Sequence, residues 1–570
     1  MWSRLALPGY ALILAFVVTA PLLRPGYLLL RDAVSTPRSY LTDAALGVAE
    51  AAPRALPQDF FVALTSHVVD GGLVVKALLV ASLWLAGWGS AHLVDVALPA
   101  AGRPGQFMAA TLAVWNPYVA ERLLQGHWSL LVGYGCLPWI AATVLRLRSR
   151  GRPGDWYALV FWIALAGLTP TGLMLAAVVG LVTIAVPGAA AARWRCATGV
   201  LGVALGTAAP WLTAAAFTDS LAAFRSGGTG VTAFAARAEP GLGTLGSLAS
   251  LGGIWNADAV PGSRSTLFAI VGTAVVLLVV VVGIPAVARN RAVTPLLMLA
   301  VLAVLLPAMM ATGPGLTLVR AVTEAVPGLG VLRDGQKWVA LALPGYVLAA
   351  AGSVLTLSRL RPAVVAAVGC AALVAVLPDL AWGVGGQMTS VHYPRGWTAV
   401  AEHINADPRP VMVLPADSMR QFQWAGAAPV LDPLPRWVRA DVLSTGDLTI
   451  SGRPVFGEGS RARAVQDALL AGADPARLAD AGVGWVVVEH GTSGETGSAA
   501  TTLDRLPVVY TDPDMTLYRI DGARPTPPAG ARTVVLAAHV LWLGLLVAGA
   551  MGMVVRRFKD DRHRNGFSGP

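Results

Sequence analysis

The sequence predicts a mainly α-helical, polytopic membrane protein with about twelve transmembrane helices and a small C-terminal α/β extracytoplasmic domain. Three observations predict the class. Of 570 residues, 55% are hydrophobic and only 13% charged, an apolar excess foreign to soluble domains. Apolar stretches recur at about the 20 residues that cross roughly 30 Å of hydrocarbon. From 385 to 530 the composition shifts to that of a soluble domain.

Spans are read near 5–24, 72–97, 106–119, 128–146, 156–168, 171–188, 196–217, 265–287, 292–312, 336–357, 362–383 and 532–555. All are read as helices, because lipid offers no water to satisfy free backbone groups. The first follows Met1-Trp2-Ser3-Arg4 without a small-x-small cleavage site and reads as an uncleaved anchor. This divides the chain into a membrane core (1–384, with outer loops 25–71 and 218–264), the outer domain (385–530) and a last helix with a basic tail (531–570). In the outer domain, 411–414, 486–488 and 517–520 read as strands, and 461–471 and 475–482 as helices.

Charge sorting orients the spans. Arg146, Arg148, Arg150 and Arg152, then Arg193 and Arg195, Arg289 and Arg291, Arg359 and Arg361, and finally Arg556, Arg557 and Lys559 close every second loop with few acids. The positive-inside rule assigns those loops, and both termini, to the cytoplasmic side of the plasma membrane. The net charge of +10 is mostly this set, which faces anionic membrane lipids. No basic face on a folded domain is evident, so nucleic acid is not an expected partner. Cys136, Cys196 and Cys370 fall inside spans, which speaks against a disulfide framework or a metal cluster.

Three polar stretches then gather outside. Asp32 stands just past span 1, where a lipid-linked substrate would present its head group, and a carboxylate there can act as general base. Its plainer reading is a solvated acid paired with Arg31. Asn116-Pro117 should start a short outer-surface helix that Gly126 ends, with Arg122 and Gln125 on one face and Trp128 at the interface. A surface helix with a Glu121–Arg122 ion pair would explain much of it, and His127 alone reads as structural. Arg333 and Lys337, four apart at the start of span 10, are placed for a phosphate at a helix N-terminus. Snorkelling accounts for Lys337 but less well for Arg333–Asp334. The long loop 218–264 opens with Arg225 and closes with Trp255 and Asn256. No Gly-x-Gly-x-x-Gly unit, Walker sequence or His-Glu-x-x-His occurs, and Asp512-Pro513-Asp514 reads as a turn.

Asn116-Pro117…Glu121-Arg122-Leu123…Gly126, Gly133-Tyr134…Leu137-Pro138-Trp139 and Arg333…Lys337 together resemble the GT-C membrane glycosyltransferases, including those of actinobacterial cell-wall assembly. The stretch from Leu478 to Val488, with Leu506–Tyr510 and Leu517–Arg519, looks like the terminal domain of many such proteins. The resemblance implies transfer of a sugar from a polyprenyl-phosphate donor to a glycan or glycolipid acceptor on the outer face. It implies Asp32 as catalytic base, with Arg333, Lys337, Arg122 and Arg225 stabilising the departing phosphate. Arg31, Glu121, Gln125, His127, Trp255, Asn256 and Asp334 are the candidates for further substrate contacts. The first loop has no Asp-x-Asp, so no metal or other cofactor is expected. Two competing readings are a lipid or glycolipid flippase, which predicts midplane polar residues and pseudo-repeated halves, and a non-catalytic GT-C-like scaffold.

Overall fold

The computed structural model describes residues 2–49, 55–217, 229–326, 329–450, 453–457, 459–523 and 530–565. It is mainly helical. Among the described residues, seven helices are long and apolar enough to cross a membrane: Leu5–Leu23, Gly71–Ala97, Trp128–Ser149, Arg193–Phe217, Phe268–Val287, Gly335–Thr356 and Arg532–Lys559. Two bent pairs, Thr294–Met310 with Gly313–Ala325 (91°) and Pro362–Ala375 with Pro378–Gly386 (73°), bring the count to nine if each is one span.

The other three expected spans are short helices, Gly102–Val114 (13 residues), Pro153–Ala166 (14) and Pro170–Thr183 (14). At 1.5 Å per residue each reaches only about 20 Å. Gly102–Val114 is buried among its neighbours from Gly105 onward except at Phe107. Its apolar composition therefore reflects helix–helix packing, which a hydropathy window cannot separate from contact with lipid. The Trp128–Ser149 helix lies at the centre, buried on nearly every side. Small residues let backbones meet there: a Cβ on Gly133 would lie 2.7 Å from Gly172 Cα.

Outside the long helices, β1 (Tyr27–Leu30) and β2 (Ala33–Val34) form a hairpin in the first loop, and β3 (Ser390–Val391) pairs antiparallel with β1. Further on come β4 (Val411–Leu414), β5 (Met419–Arg420), β6 (Val430–Leu431), β7 (Trp485–Glu489), β8 (Val508–Thr511) and β9 (Met515–Arg519). One sheet has the order β8-β9-β7-β4, with β4 and β7 parallel and the other pairs antiparallel. Strand β4 is buried on both faces, Val411 and Val413 in one apolar cluster and Met412 and Leu414 in another, which explains its unbroken hydrophobic run. The hairpin turn is stitched to β6: Arg31 N–H donates to Pro429 O and Leu431 N–H to Arg31 O, both at 2.9 Å.

Two local expectations are corrected. The helix Pro117–Leu124 is not on the surface, because all eight of its residues are buried, and Trp128 is buried rather than interfacial. The chain at Leu329–Arg333 and Gly335–Ala342 forms 3₁₀ turns, and the α-helix begins only at Leu343. Arg333 and Lys337 therefore do not project from one helical face.

Candidate active site

The site starts from a strained turn. Leu30 lies opposite Ala33, which leaves Arg31-Asp32 as a two-residue hairpin loop, a loop length that favours positive φ. Arg31 adopts φ +49°, costly for a residue with a Cβ. Its side chain is tied down, with Nη1 donating to Leu124 O and Nη2 to Asp258 O, each at 2.5 Å. Arg31 thus serves the turn and does not pair with Asp32. The turn presses onto the end of the buried helix, where Asp32 N–H donates to Gln125 O (3.2 Å). Gly126 makes the approach possible. It has φ +84°, and a Cβ there would run into Leu30 O and Ala33 N.

Local signals place the buried helix. Asn116 caps it, Oδ1 accepting from Val119 N–H (3.1 Å), and Pro117 opens it. Asn116 Nδ2 also donates to Leu112 O (2.8 Å) and Tyr134 Oη (3.0 Å). Glu121 makes no ion pair with Arg122. Its carboxyl receives Gly253 N–H and Ile254 N–H, both at 3.1 Å, and Gln336 Nε2 at 2.9 Å, so the helix holds the 253–256 loop. Burial and the neighbouring Glu239 carboxylate push the Glu121 pKa well up against the opposing charge of Arg264.

A chain of hydrogen bonds, closed by an ion pair, joins the residues the sequence singled out. Asp32 Oδ2 accepts from Gln125 Nε2 (3.0 Å) and lies 2.9 Å from His127 Nε2. His127 Nδ1 lies 3.0 Å from Arg122 Nη1. Arg122 holds Asp334 bidentately, Nη1 to Oδ2 at 3.0 Å and Nη2 to Oδ1 at 3.1 Å, and Nη2 also donates to Gln336 Oε1. Lys337 Nζ completes the chain 3.6 Å from Asp334 Oδ2. Because a guanidinium only donates, His127 Nδ1 must accept, and its proton sits on Nε2, facing Asp32. The imidazole is therefore neutral, with its tautomer set by Arg122.

The electrostatics agree. Burial lowers the His127 pKa against the pull of Asp32, and the charges of Arg122 and Lys337 add to the lowering. Burial opposes ionisation of Asp32, yet the His127 and Gln125 bonds and the Lys337 charge hold its carboxyl below the ordinary value. Asp334, also disfavoured as an anion by burial, is held well below the usual carboxylate range by Arg122 and Lys337. The Asp32 side chain is 36% exposed, and its Oδ1 accepts no hydrogen bond among the described residues. The result is an ionised, oriented carboxylate with one open oxygen.

Asn256 Nδ2 donates to Gln125 Oε1 (2.7 Å). Arg333 lies over the Phe234 ring (4.4 Å), which packs edge-on to Trp255 (4.6 Å). Arg225 lies outside the described residues. Arg122 was expected to face phosphate, but it is fully buried with both terminal nitrogens engaged, and so acts as a strut between the base and Lys337. Sequence reasoning passed over Gln336, although it stands inside the Arg333…Lys337 motif. It also missed Phe234 and the buried Glu239–Arg264 pair, which no local pattern marks. Among the described residues, no group of three or more His, Cys, Asp or Glu side chains is placed to hold a metal ion.

The architecture has a precedent among solved structures. The chain superposes on the cryo-EM structure of arabinofuranosyltransferase AftD from Mycobacteria (mutant R1389S, class 2) with a TM-score of 0.56 at 15% identity, covering 92% of this chain and 42% of that one. The two share a fold. At that identity the likeness speaks to fold alone, and the chain spans well under half the length of AftD. No family profile and no curated protein matches the sequence. Together with the apolar helices, the AftD-like fold marks this as a membrane protein.

Proposed function

We propose that this chain is an inverting membrane glycosyltransferase. It moves a sugar of the arabinose or mannose class from a polyprenyl-phosphate donor to a cell-envelope glycan or glycolipid, on the outer face of the plasma membrane. Both termini are cytoplasmic in this reading, and the region after 385 is extracytoplasmic. The observation that carries it is the single chain linking an open, ionised Asp32 to Lys337 through His127, Arg122 and Asp334. Ion-coupled transport does not call for that pairing of a base with a cation.

In the reaction, an acceptor hydroxyl approaches Asp32 Oδ1 and gives up its proton to that oxygen. The hydroxyl oxygen attacks the anomeric carbon from the face opposite the phosphate. The new C–O bond forms as the bond to the phosphate oxygen breaks, and the polyprenyl phosphate departs with the bonding pair. Lys337, and Arg333 held over Phe234, meet the growing negative charge. His127 and Gln125 keep the carboxylate aimed at the hydroxyl. Asp32→Asn and Lys337→Ala, assayed with radiolabelled polyprenyl-phosphate arabinose and mannose, should lose at least a hundredfold in transfer. Full activity in both variants would end this assignment.

A further inference from the structure

A cavity of about 250 Å³, lined by both apolar and polar side chains, lies between first-loop residues (39–49 and 55–59) and C-terminal residues (412–445, 462 and 466). Its size approaches the lower end of small-ligand pockets, roughly 300–1,000 Å³. None of the residues of the Asp32–Lys337 chain lines it. From this geometry we infer that the cavity is a carbohydrate-binding subsite that takes a neutral sugar unit of an oligosaccharide.

The donor set selects the ligand class. Both arginines of the wall are already neutralised, Arg420 by Glu489 (2.6 Å) and Asp432 (3.6 Å), and Arg436 by Asp59 (3.3 Å). An anion would therefore find no unshared arginine there. What the wall offers instead is hydroxyl, amide and carboxylate oxygen. Ser418 Oγ is buried without a partner. Asp417 spends Oδ1 on the Ser418 and Met419 N–H groups (2.6 and 3.1 Å), which leaves its second oxygen to accept. Ser444, Thr445 and Gln466 add further polar groups to the lining. Such a set suits groups that each donate and accept, as sugar hydroxyls do.

Position gives the subsite a use. Leu431 lines the cavity, and its N–H is bonded to the carbonyl of Arg31, in the turn that carries Asp32. A sugar seated there bears on the backbone that aims Asp32, so remote binding energy can serve orientation at the reacting end. The binding claim stands apart from the transfer reaction, whereas its role as an acceptor subsite rests on the transferase reading.

The test uses the full chain in nanodiscs, titrated calorimetrically with a linear arabinofuranosyl trisaccharide, with mannotriose and with anionic trigalacturonate. Saturable binding of at least one neutral sugar, at least tenfold tighter than the anionic one, is expected. Ala44→Phe, at an exposed lining position, and Gln466→Ala should each weaken it at least tenfold with an unchanged melting temperature. Asp32→Asn should leave it within twofold, which separates this site from the transfer site. No saturable neutral-sugar binding, or binding that survives both cavity variants or is lost in Asp32→Asn, would overturn the inference. Loss of transfer with retained binding in Asp32→Asn would support both readings.

Discussion

Replacing Asp334 by Ala should destabilise the protein far more than a loop substitution would, because it strands a charge. The Arg122 side chain is fully buried and meets Asp334 through two bonds of 3.0 and 3.1 Å. Removing one partner of such a pair costs about 3–5 kcal/mol, whereas replacing both with apolar residues is often neutral. Arg122→Met should cost less than Asp334→Ala, since Asp334 keeps Lys337 at 3.6 Å. At roughly 2.1 cal/mol/K per residue, a cooperative unit of 570 residues unfolds with about 1.2 kcal/mol/K, so a loss of about 4 kcal/mol lowers the melting temperature by about 3 °C. The assay is a double-mutant cycle of Arg122→Met and Asp334→Leu in detergent, followed by tryptophan fluorescence on heating. The double variant should melt at least 2 °C above the Asp334→Leu single. It should still fail in transfer, since His127 then has no donor to fix its tautomer. Additive single effects, or an Asp334→Ala variant melting within 1 °C of wild type, would refute the strut.

Two further predictions concern the base and its seat. His127→Ala should cut transfer roughly 10- to 100-fold at pH 7 and move the acid limb of the pH–rate profile upward, because Asp32 loses the bond that holds its pKa down. In the wild type the lowered His127 pKa means the unfolded chain binds that proton first, so this group's share of stability is full above about pH 6.5 and is lost as pH falls below it. Chemical denaturation between pH 7.5 and 5 should show that decline in wild type and a flatter curve in His127→Ala. Gly126→Ala must place a Cβ at φ +84° against Leu30 O and Ala33 N. It should cost at least about 2 kcal/mol and, by shifting Asp32, on the order of 100-fold in rate, read by melting and by transfer kinetics.

Much of the site was legible because its signals are local. Asn116-Pro117 is a cap and a first turn wherever it occurs, and Gly126 stops the helix for want of a Cβ. Asp32 drew notice as an acid just past the first span, and Arg333–Lys337 as a cationic approach to span 10. What stayed hidden was direction. Arg122 and Gln125 were expected on one helical face, but nothing nearby says that Arg122 reaches a carboxylate 212 positions away, or that Arg31 turns from its neighbour to Asp258 O. Nor does a hydropathy window know that Gly102–Val114 meets other helices rather than lipid.

By itself, the sequence determined a helical membrane protein whose short polar segments interrupt the apolar spans. Desolvation of backbone and charge acts on each segment separately, so composition suffices for that much. Only the tertiary structure decided which spans are long enough to cross, that the Pro117–Leu124 helix is buried, and that Asp32, His127, Arg122, Asp334 and Lys337 form one chain. Those outcomes depend on directional bonds between residues far apart in sequence. Once all of these groups are removed from water together, each buried donor or acceptor must find its partner, and the packed fold alone sets which one it finds.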